Sequence, residues 1–339
     1  IFNQTGECFM KHKINYKYVC LLMMLITVCL FGCSQTVMAA ADGSITCGRS
    51  KESRSSAVVQ KSRRTSDVRL YKCDGSYWKT IKNTNGRAVF PAVDSKTSNM
   101  VLGWSKTRGK HTLSASDYKA GARIPSKNGK YYMVLFKASM DRAPSVITRP
   151  TKFNKVYMVG DSRTVDTKRA LKSSIPSNVT FIARGGQGLA WFKREGYPSL
   201  IRSVSKRPRS ERKAVIINLG VNDLDNSKAY VTYMRKVSAA LKKYNCKMYY
   251  LSVNPVNSTM IKARRKKFRS EASIAAFNKV IYEQLCSGKN RSFTYINTCT
   301  RLQKYGWSSN RYNAGIHDGL HYSDQTYLRI FNYCMKYLN

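Results

Sequence analysis

The chain has 339 residues, enough for one or two domains with real cores. Lys and Arg number 60 against 18 Asp and Glu, a formal net charge of +42, so polyanions concentrate at its surface, most strongly at low salt. None of the 10 cysteines forms a C-x-x-C pair, which argues against the usual zinc and redox motifs.

Residues 1–9 precede Met10 and read as upstream translated sequence. Lys11, Lys13 and Lys17 then form a basic stretch before an uncharged apolar run from Tyr18 to Gly32. Val37-Met38-Ala39 or Ala39-Ala40-Ala41 supplies small residues for cleavage. This is the pattern of an export signal over 1–41, and its apolar run is shorter than the roughly 20 residues a spanning helix needs. Leu30-Phe31-Gly32-Cys33 leaves a lipid anchor on Cys33 as an alternative. A secreted or surface-associated protein is expected. Residues 42–67, rich in Ser, Arg and Lys, predict a basic linker. Six cysteines follow the signal, an even number that suits an oxidising compartment. Cys47 and Cys73 can pair; Cys246, Cys286, Cys299 and Cys334 allow three pairings, with buried free thiols as the alternative.

Over 68–138, short β-rich runs alternate with turn signals: Val68 to Tyr71, Tyr77 to Ile81, Ala88 to Phe90, Met100 to Trp104 and Tyr131 to Phe136. They predict a small β-rich domain. Residues 139–154, with Pro144 and Pro150, read as a linker. From 155 to 339 the pattern alternates strand and helix. Apolar runs at 156–159, 179–183, 214–219, 248–253 and 293–296 predict strands. Tyr230, Met234, Val237 and Leu241, then Ile274, Phe277, Ile281 and Leu285, then Tyr327, Ile330, Phe331 and Cys334, mark helix stripes. Continuous apolar strands between helices predict an α/β domain with a doubly wound, flavodoxin-like, five-stranded parallel sheet, which binds ligands at its carboxyl edge.

Four polar blocks fall on that edge. Gly160-Asp161-Ser162-Arg163-Thr164 follows the first strand, and Arg184-Gly185-Gly186-Gln187-Gly188 the second. Gly220-Val221-Asn222-Asp223 follows the third, and Asp318-Gly319-Leu320-His321 precedes the last helix. A serine hydroxyl needs an adjacent base to act as a nucleophile, and after the signal only His111, His317 and His321 are available. The set resembles the SGNH (GDSL-type) hydrolases over about 155–339. The resemblance implies Ser162 as nucleophile, His321 as base, Asp318 as its orienting acid, and an oxyanion hole from the Ser162 and Gly188 N–H groups and the Asn222 amide. It leaves His317 as a loop residue, Asp161 as a turn support, Gly185 and Gly186 as turn-shaping, and Gly186 as an alternative donor. Arg163 departs from the aliphatic residue more frequent there and puts a charge beside the serine, which speaks against lipase-like use. Trp191 and Phe192 either line the site or belong to the core. The basic run Arg264-Arg265-Lys266-Lys267 is a solvated helix face or a rim that attracts anions.

In the β-rich segment, Gly103-Trp104-Ser105, the turn around Ala120-Gly121 and the closing strand Tyr131 to Lys137 are similar to the internalin B-repeat type of surface β-grasp module, with Phe136 where that family usually has Trp. Together the readings imply an exported serine esterase that hydrolyses or transfers a small acyl group, such as acetyl, on a cell-wall or extracellular glycan. No cofactor or metal is implied. Anionic cell-wall polymers are candidate partners, and no recognisable nucleic-acid module is present. The rival reading is a non-catalytic, basic, surface binding protein on a silent hydrolase fold.

Overall fold

A computed structural model describes residues 66–339 apart from 84–85, 94–99, 126–127, 144, 147–151 and 264–268. The expected signal, most of the basic linker, Cys47 and the basic run 264–267 lie outside the described residues. No described helix is long and apolar enough to cross a membrane.

The first sheet comprises β1 (Ser66–Tyr71), β2 (Tyr77–Asn83), β3 (Met100–Ser105) and β4 (Gly129–Phe136). Its order is β2-β1-β4-β3, with antiparallel outer pairs and a parallel central pair that sets Val68 opposite Gly129. Val68, Leu70, Phe90, Trp104, Ile124, Tyr131 and Met133 form its core. Trp104 is fully buried, stacks on Trp78 at 5.5 Å, and donates from Nε1 to the Pro91 carbonyl at 3.0 Å. The strand expected at Ala88 to Phe90 is reduced to one bridge, Val89 to Arg123. Its backbone bonds go to the 121–124 segment instead of the sheet, and Pro91 has no N–H with which to continue a ladder.

The second sheet contains β5 (Lys155–Gly160), β6 (Val179–Ala183), β7 (Lys213–Asn218), β8 (Cys246–Leu251) and β9 (Thr294–Ile296). Its order is β6-β5-β7-β8-β9 and every pair is parallel. Alternation along the strands divides their side chains between two cores. Tyr157, Val159, Val215, Ile217 and Tyr250 enter one; Val156, Met158, Ala214, Ile216 and Leu251 enter the other. Helices cover both faces, which is why the strands read as unbroken apolar runs. In chain order these are α1 (Ser162–Leu171), α2 (Tyr197–Ser205), α3 (Ser227–Lys242), α4 (Ser258–Ala263), α5 (Glu271–Ile281), α6 (Thr298–Tyr305) and α7 (Asp324–Leu338). The stripe residues of α3 and α5 join the first core; those of α1 and α7 join the second. The fold is therefore a doubly wound, five-stranded α/β sheet.

The segment expected to be a linker is tied down near its start. Asp141 is only 7% exposed, and its carboxylate accepts from Ser323 Oγ, from Thr326 Oγ1 at 2.6 Å and from Arg329 Nη1 at 2.6 Å. Cys73, Cys246, Cys286, Cys299 and Cys334 are all free thiols, so none of the pairings among the last four forms. Burial pushes Cys286, Cys299 and Cys334 up to about 12 and Cys246 to about 11, which makes them unreactive packing residues.

Candidate active site

Ser162 opens α1 directly past the carboxyl end of β5. Asp161 caps that helix: it holds extended backbone, and its Oδ1 accepts from the Arg163 N–H at 2.9 Å. The turn is tight because β5 ends on Gly160, where a Cβ would collide with Thr164 and with the Asn218 carbonyl. Full burial pushes Asp161 up to about 6, against the lowering effect of its bond and charge contact with Arg163.

Three expected residues come together. His321 Nε2 lies 2.8 Å from Ser162 Oγ, and His321 Nδ1 lies 2.7 Å from Asp318 Oδ2. The other Asp318 oxygen accepts from the Leu320 and His321 N–H groups at 2.9 and 2.8 Å. Burial alone would raise Asp318; these bonds and the His321 contact outweigh it and hold the carboxyl well below its usual range. An ionised carboxylate only accepts. Nδ1 therefore carries the imidazole hydrogen, and Nε2 is left to accept from the serine hydroxyl. All three side chains are largely buried, with Ser162 7% exposed. His317 turns away, with Nδ1 on the Ser309 carbonyl.

The glycines and the asparagine need a more detailed account. Gly188 packs against Asp223, whose carboxylate occupies the space a Cβ would need. That carboxylate accepts from Leu189 N–H at 2.8 Å and from the Tyr230 hydroxyl at 2.7 Å, so it fastens the second block to the third. At Gly185 an added Cβ would stand 4.0 Å from Ser162 Cβ. Gly186 sits at φ +71°, the left-handed turn conformation that suits glycine. Asn222 is held at both ends of its amide: Nδ2 donates to the Gln187 carbonyl at 2.8 Å, and Oδ1 accepts from Arg269 Nη2 at 2.9 Å. Trp191 and Phe192 are core residues, 5% and 0% exposed.

The Arg163 side chain is 2% exposed and points into the protein. Nε and Nη2 donate to the Leu320 carbonyl at 3.1 and 2.9 Å, Nη1 to that of Asn254 at 2.8 Å, and Nη2 to that of Pro255 at 3.0 Å. The guanidinium also lies 4.8 Å from the centre of the Tyr322 ring. The residue after Ser162 thus grips the residues on both sides of His321. Arg269, which the sequence reading passed over, plays the matching part for Asn222. It is 8% exposed and also donates from Nε to the Val221 carbonyl at 2.6 Å. It stands two positions after the basic run 264–267, so nothing in the local sequence sets it apart from those cations.

No protein-family model matches the chain, and no match is found among curated proteins. Solved structures similar to it include a GDSL-like lipase from Bacteroides thetaiotaomicron, with 18% identity and a TM-score of 0.43 over 55% of this chain and 87% of that one. An acetyl xylan esterase aligns with 14% identity and a TM-score of 0.39 over 55% of this chain and 100% of that one. The C-terminal catalytic domain of Streptococcus pneumoniae peptidoglycan O-acetyltransferase A gives 14%, 0.36, 55% and 92% for the same quantities. Likeness at these identities concerns fold alone, and roles for individual side chains rest on this chain's own geometry.

Proposed function

We propose that the chain is a serine esterase that cleaves or transfers a small acyl group. The observation that carries this reading is the continuous Asp318–His321–Ser162 hydrogen-bond chain, with the serine at a helix N-terminus on the sheet's carboxyl edge. Ser162 Oγ bonds to the acyl carbon as its proton moves to His321 Nε2, and the carbonyl π pair moves onto oxygen. Collapse expels the alcohol, which leaves with the proton from Nε2. Water or an acceptor hydroxyl then attacks the acyl-serine by the same route, releasing the acid or a new ester. Asp318 keeps the imidazole oriented and stabilises its cationic form.

The developing oxyanion takes donors from the Ser162 N–H, an N–H of the 185–188 turn and the Asn222 amide. The Ser162 N–H is the first amide of α1 and has no preceding helical carbonyl to bond. In the same proposal the protein is exported by residues 1–41, and its substrate is an acylated glycan outside the membrane, reached by a strongly basic surface. The test is active-site labelling. A fluorophosphonate should label the protein on Ser162, and both Ser162→Ala and His321→Ala should abolish labelling together with hydrolysis of an acetyl ester. A wild-type protein that neither labels nor turns over acetyl esters would defeat the reading.

A further inference from the structure

At the opposite, amino edge of the five-stranded sheet lies a groove of about 760 Å³. Its walls come from the starts of β7, β8 and β9, from α3 and from the 289–293 turn. Six cations line it: Arg212, Arg235, Lys242, Lys247, Lys289 and Arg291, all exposed. Since 60 of 339 residues are Lys or Arg, a random lining of the same 16 residues would hold about three. None of the 16 is acidic. The nearby glutamates are engaged elsewhere, Glu211 with Arg207 at 2.7 Å and Glu283 with Lys279 at 3.9 Å. Behind the wall, Lys213 is fully buried, and its Nζ donates to the carbonyls of Pro208, Glu211 and Tyr244. Concave walls of one sign focus their field on a ligand of the other sign.

We infer that this groove binds a linear phosphodiester polyanion that carries no aromatic bases. Single-stranded nucleic acid needs exposed rings on which to stack its bases. The two rings here, Phe153 and Phe293, are 5% and 2% exposed, and the Arg212 guanidinium lies 5.4 Å from the centre of the Phe153 ring. A groove receives a chain, whereas a bilayer surface would meet a flat or convex patch. The groove stands a full strand length from Ser162, about 15–20 Å at roughly 3.3 Å per residue, so bound polymer leaves the serine accessible. The inference does not depend on the esterase reading.

The test uses the full chain and fluorescent poly(glycerol phosphate) near physiological ionic strength. Each phosphate contact contributes about −0.7 to the slope of log K against log salt for a single strand, so six contacts give about −4. Lys242→Gln, Lys247→Gln, Lys289→Gln and Arg291→Gln together should reduce that slope by about 3 and weaken binding at least tenfold. A control with Lys82→Gln, Arg87→Gln, Lys106→Gln and Lys130→Gln, equally charged and in the strands and loops of the first sheet, should lose less than threefold. Equal losses in the two variants would overturn the site. Oligothymidylate bound as tightly as the base-free polymer, with the same dependence on the groove residues, would overturn the ligand class. Amine labelling of the wild-type chain keeps the test independent of the variants' folding. Polymer should protect Lys242, Lys247 and Lys289 but not Lys82, Lys106 and Lys130, and the reverse pattern would refute the site.

Discussion

At the carboxyl edge of the five-stranded sheet, Arg163 and Arg269 are inside the protein, each bonded to backbone carbonyls and, for Arg269, to the Asn222 amide. At the amino edge, six Lys and Arg stand in solvent around a groove without a carboxylate. The same residue type serves two purposes. A buried guanidinium is costly to desolvate and is retained where its planar fork can hold several acceptors in fixed positions. Exposed cations cost little to keep hydrated, and their field accumulates. Net charge alone does not distinguish the two, because a buried and an exposed cation each add one to the +42.

The contrast can be broken first at the serine. Ser162→Ala should lower acetyl-ester turnover by about 10⁴-fold or more with an unchanged melting temperature. An accompanying loss of fold would make Ser162 structural. Next, Arg163→Ala should destabilise the protein by at least about 3 kcal/mol in urea unfolding, because the carbonyls of Asn254, Pro255 and Leu320 lose their donors. Arg163→Lys keeps the charge, loses the fork, and should recover only part of that.

Asp161→Asn should change the pH dependence of stability. The folded carboxyl is raised to about 6 from 3.8, so the folded state holds its proton more tightly than the unfolded chain. Stability from this group is complete below about pH 4 and falls as pH rises through 6, by about 2–3 kcal/mol. Asparagine can still cap α1 and should flatten that fall in urea melts at pH 4 and 7. Arg269→Lys should reduce kcat about 10–100-fold by releasing the Asn222 amide, with KM nearly constant. The four Gln substitutions in the groove should move stability by less than about 0.5 kcal/mol, the smallest effect of the series.

Much of this was readable from one-dimensional pattern. The strands of the parallel sheet stand within a residue or two of their apolar runs, since burial on both faces leaves no polar position to blur them. The stripe residues of α3, α5 and α7 are buried as their spacing requires. Ser162, Asp318 and His321 could be singled out because each sits in a short block at a strand end or helix start. What stayed hidden depends on partners far along the chain. Arg163 bonds to residues 91, 92 and 157 positions away, and no local signal shows which way a long side chain turns. Likewise, the spacing of glycines in 185–188 does not show that Gly188 makes room for the Asp223 carboxylate. Ala88 to Phe90 has strand-like residues, but Pro91 and the competing 121–124 backbone outweigh that local preference.

Asp141 bears on how this chain can be recombined. Its carboxylate meets the first turn of α7, whose capping residue Ser323 stands two positions after His321. Joining residues 155–339 to a foreign partner at the Pro-containing stretch would strip Ser323, Thr326 and Arg329 of their shared acceptor. A fragment that keeps this shared acceptor therefore begins upstream of Asp141.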